Sequence, residues 1–521
     1  MNLVELLYGS AERHSPRRAM TDVRSGRSLS YGQLAREAQR IGVFLKTHGV
    51  GPGQRIGLLA PNDLAYVPAA FGLLDSGACL VPLASNLTPN ETAEIVREVQ
   101  LNGCLAWPKA SALEGTPAAV VQGGECDGFT FQWLARDAEA PAEFYSLNPA
   151  FIRFTSGTTA RSKGVVLSHE ATAARVEAAD RVLAFSEEDR ILWVLPLAYH
   201  FAVTIVAYVR AGTHILMCPE TLPRAMVDAV HHLKPSVLYA APLHFERMAN
   251  LGPSQPFASI RVTLSTAAPI SPAVMDRFAA VYGVPVGQAY GIIEAGLPCI
   301  NLGTEGLPAT SVGRPVPGYE VAVFSDEGKR LPTAARSDAP ERCADAPERC
   351  ADAPERRADA PEGRAGDSPE GRADSPEGMG EIAVRGDGLF SAYYSPWQLR
   401  EQITRDGWFL TGDLGLMDQA GALHLKGRKK TVMFVAGLKF FPEEVEDCIN
   451  QFGGIKESRV FGRPHARVGE VPCAEVVLDA RGCDLDALKA HCARVLSPYK
   501  VPLEFTVVDA VPRTPSGKIR R

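Results

Sequence analysis

The sequence predicts an α/β protein in which a large N-terminal domain is followed by a smaller domain. Three observations support this prediction. Strand and helix patterns alternate over the first 150 residues and again from 151 to 320, which indicates largely parallel sheets covered by helices. After about residue 427, strand and helix signals are packed into a short C-terminal stretch. The length of 521 residues is enough for about three folding units at ~150 residues each.

The first elements can be assigned in order. Residues 31 to 50 have apolar positions at helical spacing and end with Gly49, a helix-stop signal. Residues 55–60 have the pattern of a strand, residues 63–75 that of a helix, and residues 78–82 that of a second strand. A strand, a helix and a strand within ~30 residues form a βαβ unit, so these two strands are expected to be parallel.

An uncharged stretch from Ile191 to Val209 is long enough to cross a membrane. Pro196, His200 and two tyrosines interrupt it. These interruptions favour a buried strand over residues 191–195, then a loop and a packed helix. We therefore expect no membrane span.

Composition excludes several classes of function. The formal net charge of -6 gives no reason to expect nucleic acid or an anionic membrane as a partner. The eleven cysteines are scattered without a Cys-x-x-Cys pair, which argues against a disulfide framework or a zinc ribbon and indicates a reducing cytoplasm. The N-terminus lacks the basic-then-apolar order of a signal peptide. A Gly-x-Ser-x-Gly elbow is also absent, so a serine hydrolase is not expected.

A repeat from Asp338 to Gly378 differs from the rest of the chain. Its period, mostly seven, invites a coiled-coil interpretation, but every copy contains proline and no large apolar residue. We expect a disordered loop, with a partner-binding segment as the alternative. The repeat holds twelve acidic residues and six arginines, which together account for the whole net charge.

The strongest chemical signal follows the apolar residues 151–152. It combines glycines, hydroxyl side chains and a lysine, a composition whose backbone N–H groups can surround an anion. The order of the common P-loop is absent, and a flexible Ser/Thr/Gly loop remains the alternative. The candidate phosphate-binding residues are Thr155, Ser156, Gly157, Thr158, Thr159 and Lys163.

This segment resembles the phosphate-binding motif of the adenylate-forming (ANL) superfamily, which includes acyl-CoA and aryl-CoA synthetases and other AMP-dependent synthetases and ligases. The family pattern is Thr-Ser-Gly-(Ser/Thr)-Thr-Gly-x-x-Lys-Gly, from which the chain departs at Ala160. Further resemblances recur in the family's order along nearly the whole chain. The resemblance implies a large N-terminal adenylation domain of several subdomains and a small, mobile α+β C-terminal domain.

Residues 288–294 resemble the family's Tyr-Gly-x-Thr-Glu motif. The resemblance implies that Tyr290 packs on adenine, with Ala289 and Gly291 beside it in the nucleotide site. It also implies that Glu294 binds Mg2+, which prefers carboxylate and phosphate oxygens. Ile293 stands where the family has threonine, so a hydroxyl donor to the phosphate is lost. Taken alone, the same residues could be a packed tyrosine and a solvated acid.

The next similarities lie towards the C-terminus. Residues 411–413 match the family's Thr-Gly-Asp, which implies that Asp413 accepts the ribose hydroxyls. The hinge pattern at 427–430 implies that Arg428 lies near the ribose and that Lys430 is the pivot. Residues 437–446 resemble the thiol tunnel, with Gly437 and Lys439 lining it, although Gly437 also fits a hairpin turn before a helix.

The chain ends in a segment similar to the family's Pro-x-x-x-x-Gly-Lys. The resemblance implies that Lys518 reaches the carboxylate and the α-phosphate during adenylation. A cation is needed there because two anions react and charge accumulates on the phosphoryl oxygens. A basic, solvated tail is the alternative for an isolated lysine.

The acid-binding pocket is predicted from residues 195–202, which resemble the Pro-Leu-x-His segment of acyl-CoA synthetases. His200 is expected to line the pocket, with a packed core histidine as the alternative. Residues 203–207 lack the carboxylate that would pair an α-ammonium group, so an apolar fatty or aromatic acid is expected. Further walls are assigned to Ala241, Leu243, Thr266 (a usual glycine in the family), Ala267, Ala268 and Ile293.

The expected protein is therefore an acid–thiol ligase that uses ATP, Mg2+ and coenzyme A. Residues 1–427 form the AMP-binding and acid-binding domain, with the repeat as an insertion, and residues 428–521 form the mobile domain. Lys518 and Glu294 are the expected catalytic residues. Three alternatives remain: ligation to the phosphopantetheine of an acyl carrier protein, a luciferase-like oxidase, and a non-catalytic relative that binds nucleotide or acyl ligands.

Overall fold

The fold is described from a computed structural model, which covers residues 1–85, 87–107, 123–136, 138–154, 164–218, 222–304, 306–333, 378–435, 438–465, 469–513 and 519–520. The predicted phosphate-binding segment 155–163 and nearly all of the repeat lie outside these residues. The disorder of the repeat therefore stays a prediction.

The helices in chain order are α1 (Val4–His14), α2 (Tyr31–Thr47), α3 (Tyr66–Asp75), α4 (Pro89–Val99), α5 (Ala142–Ser146), α6 (His169–Leu183), α7 (Leu197–His200), α8 (Val206–Ala211), α9 (Pro223–Leu233), α10 (Pro242–Ala249), α11 (Pro272–Tyr282), α12 (Arg400–Ile403), α13 (Pro442–Asn450) and α14 (Leu485–Val495). A π-helical turn, Phe201–Ile205, separates α7 from α8, and 3-10 turns cover Lys429–Thr431 and Pro498–Lys500.

The strands of the first half are β1 (Arg18–Asp22), β2 (Ser28–Ser30), β3 (Arg55–Ala60), β4 (Cys79–Ala84), β5 (Gly103–Ala106), β6 (Gly123–Cys126), β7 (Phe129–Trp133), β8 (Pro149–Phe154), β9 (Gly164–Ser168), β10 (Arg190–Trp193), β11 (His214–Met217), β12 (Val237–Ala240) and β13 (Val262–Ser265). Those of the second half are β14 (Gly287–Ile292), β15 (Gly296–Asn301), β16 (Arg314–Pro315), β17 (Tyr319–Phe324), β18 (Gly380–Gly386), β19 (Ala392–Tyr393), β20 (Gln398–Leu399), β21 (Phe409–Met417), β22 (Leu423–Arg428), β23 (Met433–Val435), β24 (Leu438–Phe440), β25 (Ile455–His465), β26 (Gly469–Leu478) and β27 (Glu504–Val507).

The described strands form four sheets. Two nine-stranded sheets have the orders β16-β15-β14-β13-β12-β10-β11-β1-β2 and β20-β19-β9-β8-β4-β3-β5-β7-β6. A four-stranded sheet has the order β17-β18-β21-β22, and the C-terminal sheet has the order β24-β23-β26-β25 with β27 on β26. The largest buried cluster draws residues from both nine-stranded sheets, whereas a separate cluster is built only from residues from Met433 onwards. The α/β fold with a large and a small domain is thereby confirmed.

The predicted βαβ unit is present, because β3 and β4 pair in parallel on either side of α3. The helix begins at Tyr66 and not at the predicted Asp63, since the Asp63 carboxylate accepts a hydrogen bond from the Ala65 backbone N–H at 3.0 Å and holds a turn there. Helix α2 starts at a capping box of Ser30 and Gln33. It ends at Thr47, and Gly49 follows with a φ of 86°, the left-handed conformation that a glycine stop requires.

The uncharged stretch predicted as a strand, a loop and a helix is β10, the short helix α7, the π-helical turn and α8. Both Trp193 at the end of β10 and Tyr208 in α8 are fully buried. No helix in the described ranges is long and apolar enough to cross a membrane. The interruptions at Pro196 and His200 therefore mark the end of a buried strand and a short helix.

The repeat is inserted beyond the end of the β17–β18 hairpin. The two strands pair antiparallel from Tyr319 with Gly386 to Phe324 with Glu381. After β17 the chain turns back on itself, with hydrogen bonds among residues 323–331. The ladder is therefore complete before the repeat begins at Asp338.

We expect a deletion of residues 338–378 to leave adenylation unchanged, because the β17–β18 ladder would be closed by the remaining connection. The measurement is the rate of acid-dependent pyrophosphate release by the shortened and full chains. Equal rates within about twofold are expected, since loop length changes closure free energy only slowly. A loss of activity with an unchanged melting temperature would give the repeat a role in the reaction.

The N-terminus is tied to α6 through a buried histidine. The Leu3 backbone N–H donates to His169 Nδ1 at 3.0 Å, and burial lowers the pKa of His169 to about 4. The unfolded chain takes up this proton near pH 6.5, so the folded state loses stability as the pH falls from about 6.5 towards 4.

We expect the melting temperature to drop between pH 7 and pH 5, and His169→Asn to reduce that drop because its amide oxygen accepts the same bond without titrating. Thermal unfolding of both proteins at the two pH values measures it. An identical drop in the variant would show that other groups cause the acid sensitivity.

Candidate active site

Three predicted nucleotide-binding residues meet at one point. Tyr290, on β14, donates its hydroxyl to Asp413 Oδ2 at 2.7 Å, and Arg428 Nε lies 3.0 Å from Asp413 Oδ1. Asp413 and Arg428 are direct partners in the β21–β22 ladder. Burial and the adjacent Asp413 charge raise the pKa of Tyr290 well above its usual value, so the phenol stays a neutral donor. A carboxylate held in this way can accept hydrogen bonds from a vicinal diol.

A second carboxylate, which sequence reasoning missed, holds the backbone of β21 next to Asp413. Glu381 Oε1 accepts the Gly412 backbone N–H at 3.0 Å, and Glu381 Oε2 pairs with Lys429 Nζ at 3.1 Å. Lys429 also pairs with Asp326 at 2.9 Å. The part of β21 that carries Asp413 is thus linked to the predicted hinge. The sequence marked Glu381 only as an acidic residue that follows Gly380 at the start of a strand pattern.

Glu294 lies just after β14, and its main chain and carboxylate are both held. Its carbonyl accepts the Phe390 backbone N–H at 2.7 Å, and Tyr393 donates its hydroxyl to Glu294 Oε1 at 3.0 Å. Glu294 Oε2 accepts no hydrogen bond from the described residues. One carboxylate with an oxygen available fits Mg2+, which proteins commonly bind through one or two carboxylates together with substrate phosphates. The described chain holds no group of three His, Cys, Asp or Glu suited to bind a metal alone.

The turn at Glu294 is clamped by Arg175, a fully buried residue of α6 that sequence reasoning also missed. Its guanidinium donates to the carbonyls of Ile293 at 2.9 Å, Glu294 at 3.3 Å and Gly388 at 2.5 and 3.0 Å. Burial lowers the pKa of Arg175. The partners are carbonyl oxygens up to 213 positions away, so no local pattern could reveal the contact.

The predicted acid-pocket residues share one edge of a parallel sheet. Strands β10, β12, β13 and β14 are parallel neighbours, and the residues follow the carboxyl ends of these strands. Clefts at such an edge are the usual ligand sites of open α/β sheets. The residues that this edge brings together are His200 after β10, Ala241 and Leu243 after β12, Thr266, Ala267 and Ala268 after β13, and Ile293 after β14.

Aromatic rings surround His200. Its ring lies edge-on to Trp193, with centroids 5.6 Å apart, and to Tyr239 at 6.3 Å, while Trp193 and Tyr239 stack at an angle of 10°. His200 itself is half-buried, so it contributes both to packing and to the surface at this edge.

Ala267 has a φ of 74°, a left-handed conformation that costs an L-residue roughly 1–2 kcal/mol. We expect Ala267→Gly to stabilise the fold by about 1 kcal/mol, measured as the free energy of unfolding in urea. Ala268→Gly is the matched control, because Ala268 has no positive φ and gains only backbone freedom in the unfolded chain. A lower free energy of unfolding in Ala267→Gly would contradict the inference that the backbone at Ala267 is strained.

Other predicted site residues lie outside the described part of the chain. Their roles stay predictions, and the backbone shows only what flanks them. Phe154 and Gly164, on either side of the phosphate-binding segment, are antiparallel partners. Lys430 lies in a 3-10 turn and Lys439 in the β23–β24 hairpin, although the positions of their side chains are not described. The residues outside are Thr155, Ser156, Gly157, Thr158, Thr159, Lys163, Gly437 and Lys518.

This fold, with a large and a smaller α/β domain, is that of the adenylate-forming family. The chain belongs to the family of AMP-binding enzymes, which it matches over residues 7–336, and residues 444–518 match the AMP-binding enzyme C-terminal domain. It is an AMP-forming acid–thiol ligase of the acyl-CoA and aryl-CoA synthetase type.

Known proteins resemble the chain over nearly its whole length. It is 27% identical to a sulfoacetate–CoA ligase of Cupriavidus necator, covering 95% of this chain and 92% of the relative. It is 28% identical to the fatty acid–[acyl-carrier-protein] ligase ScoC of Streptomyces coeruleorubidus, covering 95% and 91%. ATP-bound MatB from Rhodopseudomonas palustris has the same fold, with a TM-score of 0.78, 22% identity, and coverage of 100% and 97%.

Proposed function

We propose that the protein joins a fatty or aromatic carboxylic acid to coenzyme A through an acyl-adenylate, releasing pyrophosphate and then AMP. The observation that carries the nucleotide part of this proposal is the Tyr290–Asp413–Arg428 group, since Asp413 offers a buried, charged acceptor beside a neutral donor and a cation. Such a group suits the two hydroxyls and the adjoining phosphate of a nucleotide.

In the first half-reaction, a carboxylate oxygen of the acid forms a bond to the α-phosphorus of ATP, and the bond to pyrophosphate breaks. We assign Lys518 and the segment 155–163 to the phosphoryl oxygens, where negative charge develops. Bound Mg2+ would neutralise phosphate charge. Glu294 would hold it, and Tyr393 and Arg175 keep the Glu294 side chain and main chain in place.

In the second half-reaction, the sulfur of the thiol attacks the acyl carbon, and AMP leaves with the electron pair of the acyl–oxygen bond. We propose that residues 428–521 rotate about Lys430 between the two steps, so that Lys518 withdraws and Gly437 and Lys439 line the path of the pantetheine arm. The ion pairs of Lys429 with Asp326 and Glu381 support a pivot just after this residue, because they anchor it to the large domain.

An apolar acid is supported by the walls around His200. The buried rings of Trp193 and Tyr239 stack on each other beside the half-buried His200, and residues 203–207 supply no carboxylate for an ammonium group. A binding site lined by such aromatic residues favours apolar groups, because binding removes their surface from water. The names of two relatives give sulfoacetate and fatty acids as their substrates, so the test uses acids of several classes.

A carrier protein is the second candidate for the acceptor. The relative ScoC, at 28% identity, is named as a fatty acid–[acyl-carrier-protein] ligase, and the same residues would serve a pantetheine arm on a protein. A cytoplasmic location belongs to the same proposal. It is supported by the nine described cysteines, which form no disulfide with one another.

The test is pyrophosphate release over a panel of fatty, aromatic and sulfonated acids, each with coenzyme A or a phosphopantetheinylated carrier protein. Release with a fatty or aromatic acid and formation of the CoA thioester are expected. Release with a thioester only on the carrier protein would favour the second candidate. An absence of release with every acid would contradict the ligase and favour a non-catalytic relative.

A further inference from the structure

Arg153 is a buried cation beside the candidate phosphate-binding segment that the predicted motifs do not use. It is the penultimate residue of β8, two positions before Thr155, and its exposed fraction is 9%. Neighbouring Phe151 belongs to the core between the two large sheets, whereas Ile152 belongs to the core on the opposite side of β8. Alternation along the strand therefore directs Arg153 to the same side as Phe151.

The guanidinium has few partners for a group so deeply buried. One N–H of Nη2 donates to the carbonyl of Tyr199, directly before His200. Among the described residues, no carboxylate lies within ion-pair distance of Arg153, and neither Nε nor Nη1 donates a hydrogen bond. A guanidinium has five N–H donors, and buried charges in proteins are generally paired. The nearby Tyr66 hydroxyl is also buried, and no described residue forms a hydrogen bond with it.

The charges around Arg153 favour an anion. Burial and the positive charge of Arg175 lower the pKa of Arg153 to about 10, against the opposing effects of Tyr66, Glu294 and Tyr199, so the group remains a cation at neutral pH. Arg175 donates only to carbonyl oxygens in the described structure. Two buried arginines therefore lie near the carboxylate of Glu294.

We propose that Arg153 is an anion-binding residue of the active site, whose guanidinium binds an oxygen of a carboxylate or phosphate group on a substrate. The two sources are the acid to be activated and the polyphosphate of ATP. This inference rests on the proposed function, because it places a substrate anion between the His200 segment and Glu294. Arg153 would also supply a hydrogen-bond donor to the phosphate in place of the threonine hydroxyl, which this chain lacks because Ile293 stands at that position.

The test compares Arg153→Met and Arg153→Lys with a matched control, Arg55→Met. Arg55 is also fully buried and also donates to carbonyls, those of Val99 and Gln100, but on the far side of the sheet that carries β8. Each variant is titrated with ATP and with inorganic pyrophosphate by calorimetry, and KM is measured for benzoate and octanoate at saturating ATP. Melting temperatures show whether each variant is folded.

We expect Arg153→Met to weaken binding of one substrate by about tenfold or more, with partial recovery in Arg153→Lys, as for loss of a charge-assisted hydrogen bond. Weaker ATP and pyrophosphate binding would identify the phosphate as the source, and a raised KM for the acid alone would identify the carboxylate. Arg55→Met should lower only the melting temperature. If Arg153→Met does not fold, Arg153→Lys carries the comparison, because an ammonium cannot reproduce the planar fork of donors.

Unchanged affinities in a folded Arg153 variant would overturn the proposal, as would equal losses in Arg55→Met. Calorimetry with ATP needs no turnover, so its outcome is separate from that of the proposed ligase. A wild-type protein that binds ATP but releases no pyrophosphate would contradict the ligase, while the ATP titrations would still test Arg153.

Discussion

Replacing Lys518 by alanine is expected to lower the rate of acid-dependent pyrophosphate release by roughly 100- to 1,000-fold, the usual effect of removing one group that stabilises developing charge. The acid carboxylate and the α-phosphate are both anions, and their reaction concentrates charge on the phosphoryl oxygens. A cation at that point lowers the barrier of this step alone. Thioester formation from supplied acyl-adenylate should change by no more than about twofold, because the proposed rotation has already withdrawn Lys518 from the site in that step.

The control for this variant is Lys489→Ala, which removes an exposed lysine from α14 of the same domain. It should leave both half-reactions unchanged. Single-turnover measurements with ATP plus acid, and separately with acyl-adenylate plus coenzyme A, distinguish the steps. If Lys518→Ala lowers the rates of both half-reactions equally, the proposal that the C-terminal domain presents different residues in the two steps is contradicted.

Asp413→Asn is expected to raise the Kd for ATP by about 10- to 100-fold, since hydrogen bonds to a charged acceptor are worth roughly 1.5–3 kcal/mol. The amide keeps the size of the side chain but removes the charge opposite Arg428. It also weakens the acceptor of the Tyr290 hydroxyl. Calorimetric titration with ATP measures the change without requiring turnover.

Asp418→Asn is the matched control, because Asp418 lies close by, just beyond the end of β21, and pairs with His424 Nε2 at 3.0 Å. That pair includes neither Tyr290 nor Arg428, so its loss should affect the melting temperature and not the ATP affinity. A Kd for ATP that changes equally in both variants would show that the β21–β22 hairpin, and not the Asp413 carboxylate, determines binding.

Sequence reasoning predicted the candidate site residues that lie in short motifs. Tyr290, Asp413 and Arg428 were each predicted from a local pattern, and the structure places their side chains in contact, while their roles in nucleotide binding stay predictions. The β3–α3–β4 unit was likewise predicted, because apolar periodicity is a local property.

The supporting residues were not predictable in the same way. Arg175 reaches Gly388 across 213 positions, and Glu381 reaches Gly412 across 31. Their partners are backbone groups, which every residue possesses and which leave no pattern in the sequence. The left-handed conformation of Ala267 was also hidden, because alanine seldom adopts it and gives no sign that it will.

The central claim is that the acid is activated as an acyl-adenylate, and oxygen labelling tests it most directly. The enzyme is given an acid carrying 18O in its carboxylate, together with ATP and coenzyme A, and the nucleotide and phosphate products are analysed by mass spectrometry. Attack of the carboxylate on the α-phosphate predicts AMP that contains one 18O atom and pyrophosphate that contains none. Label in inorganic phosphate together with ADP would contradict the account, because it would show that the acid attacks the terminal phosphate instead.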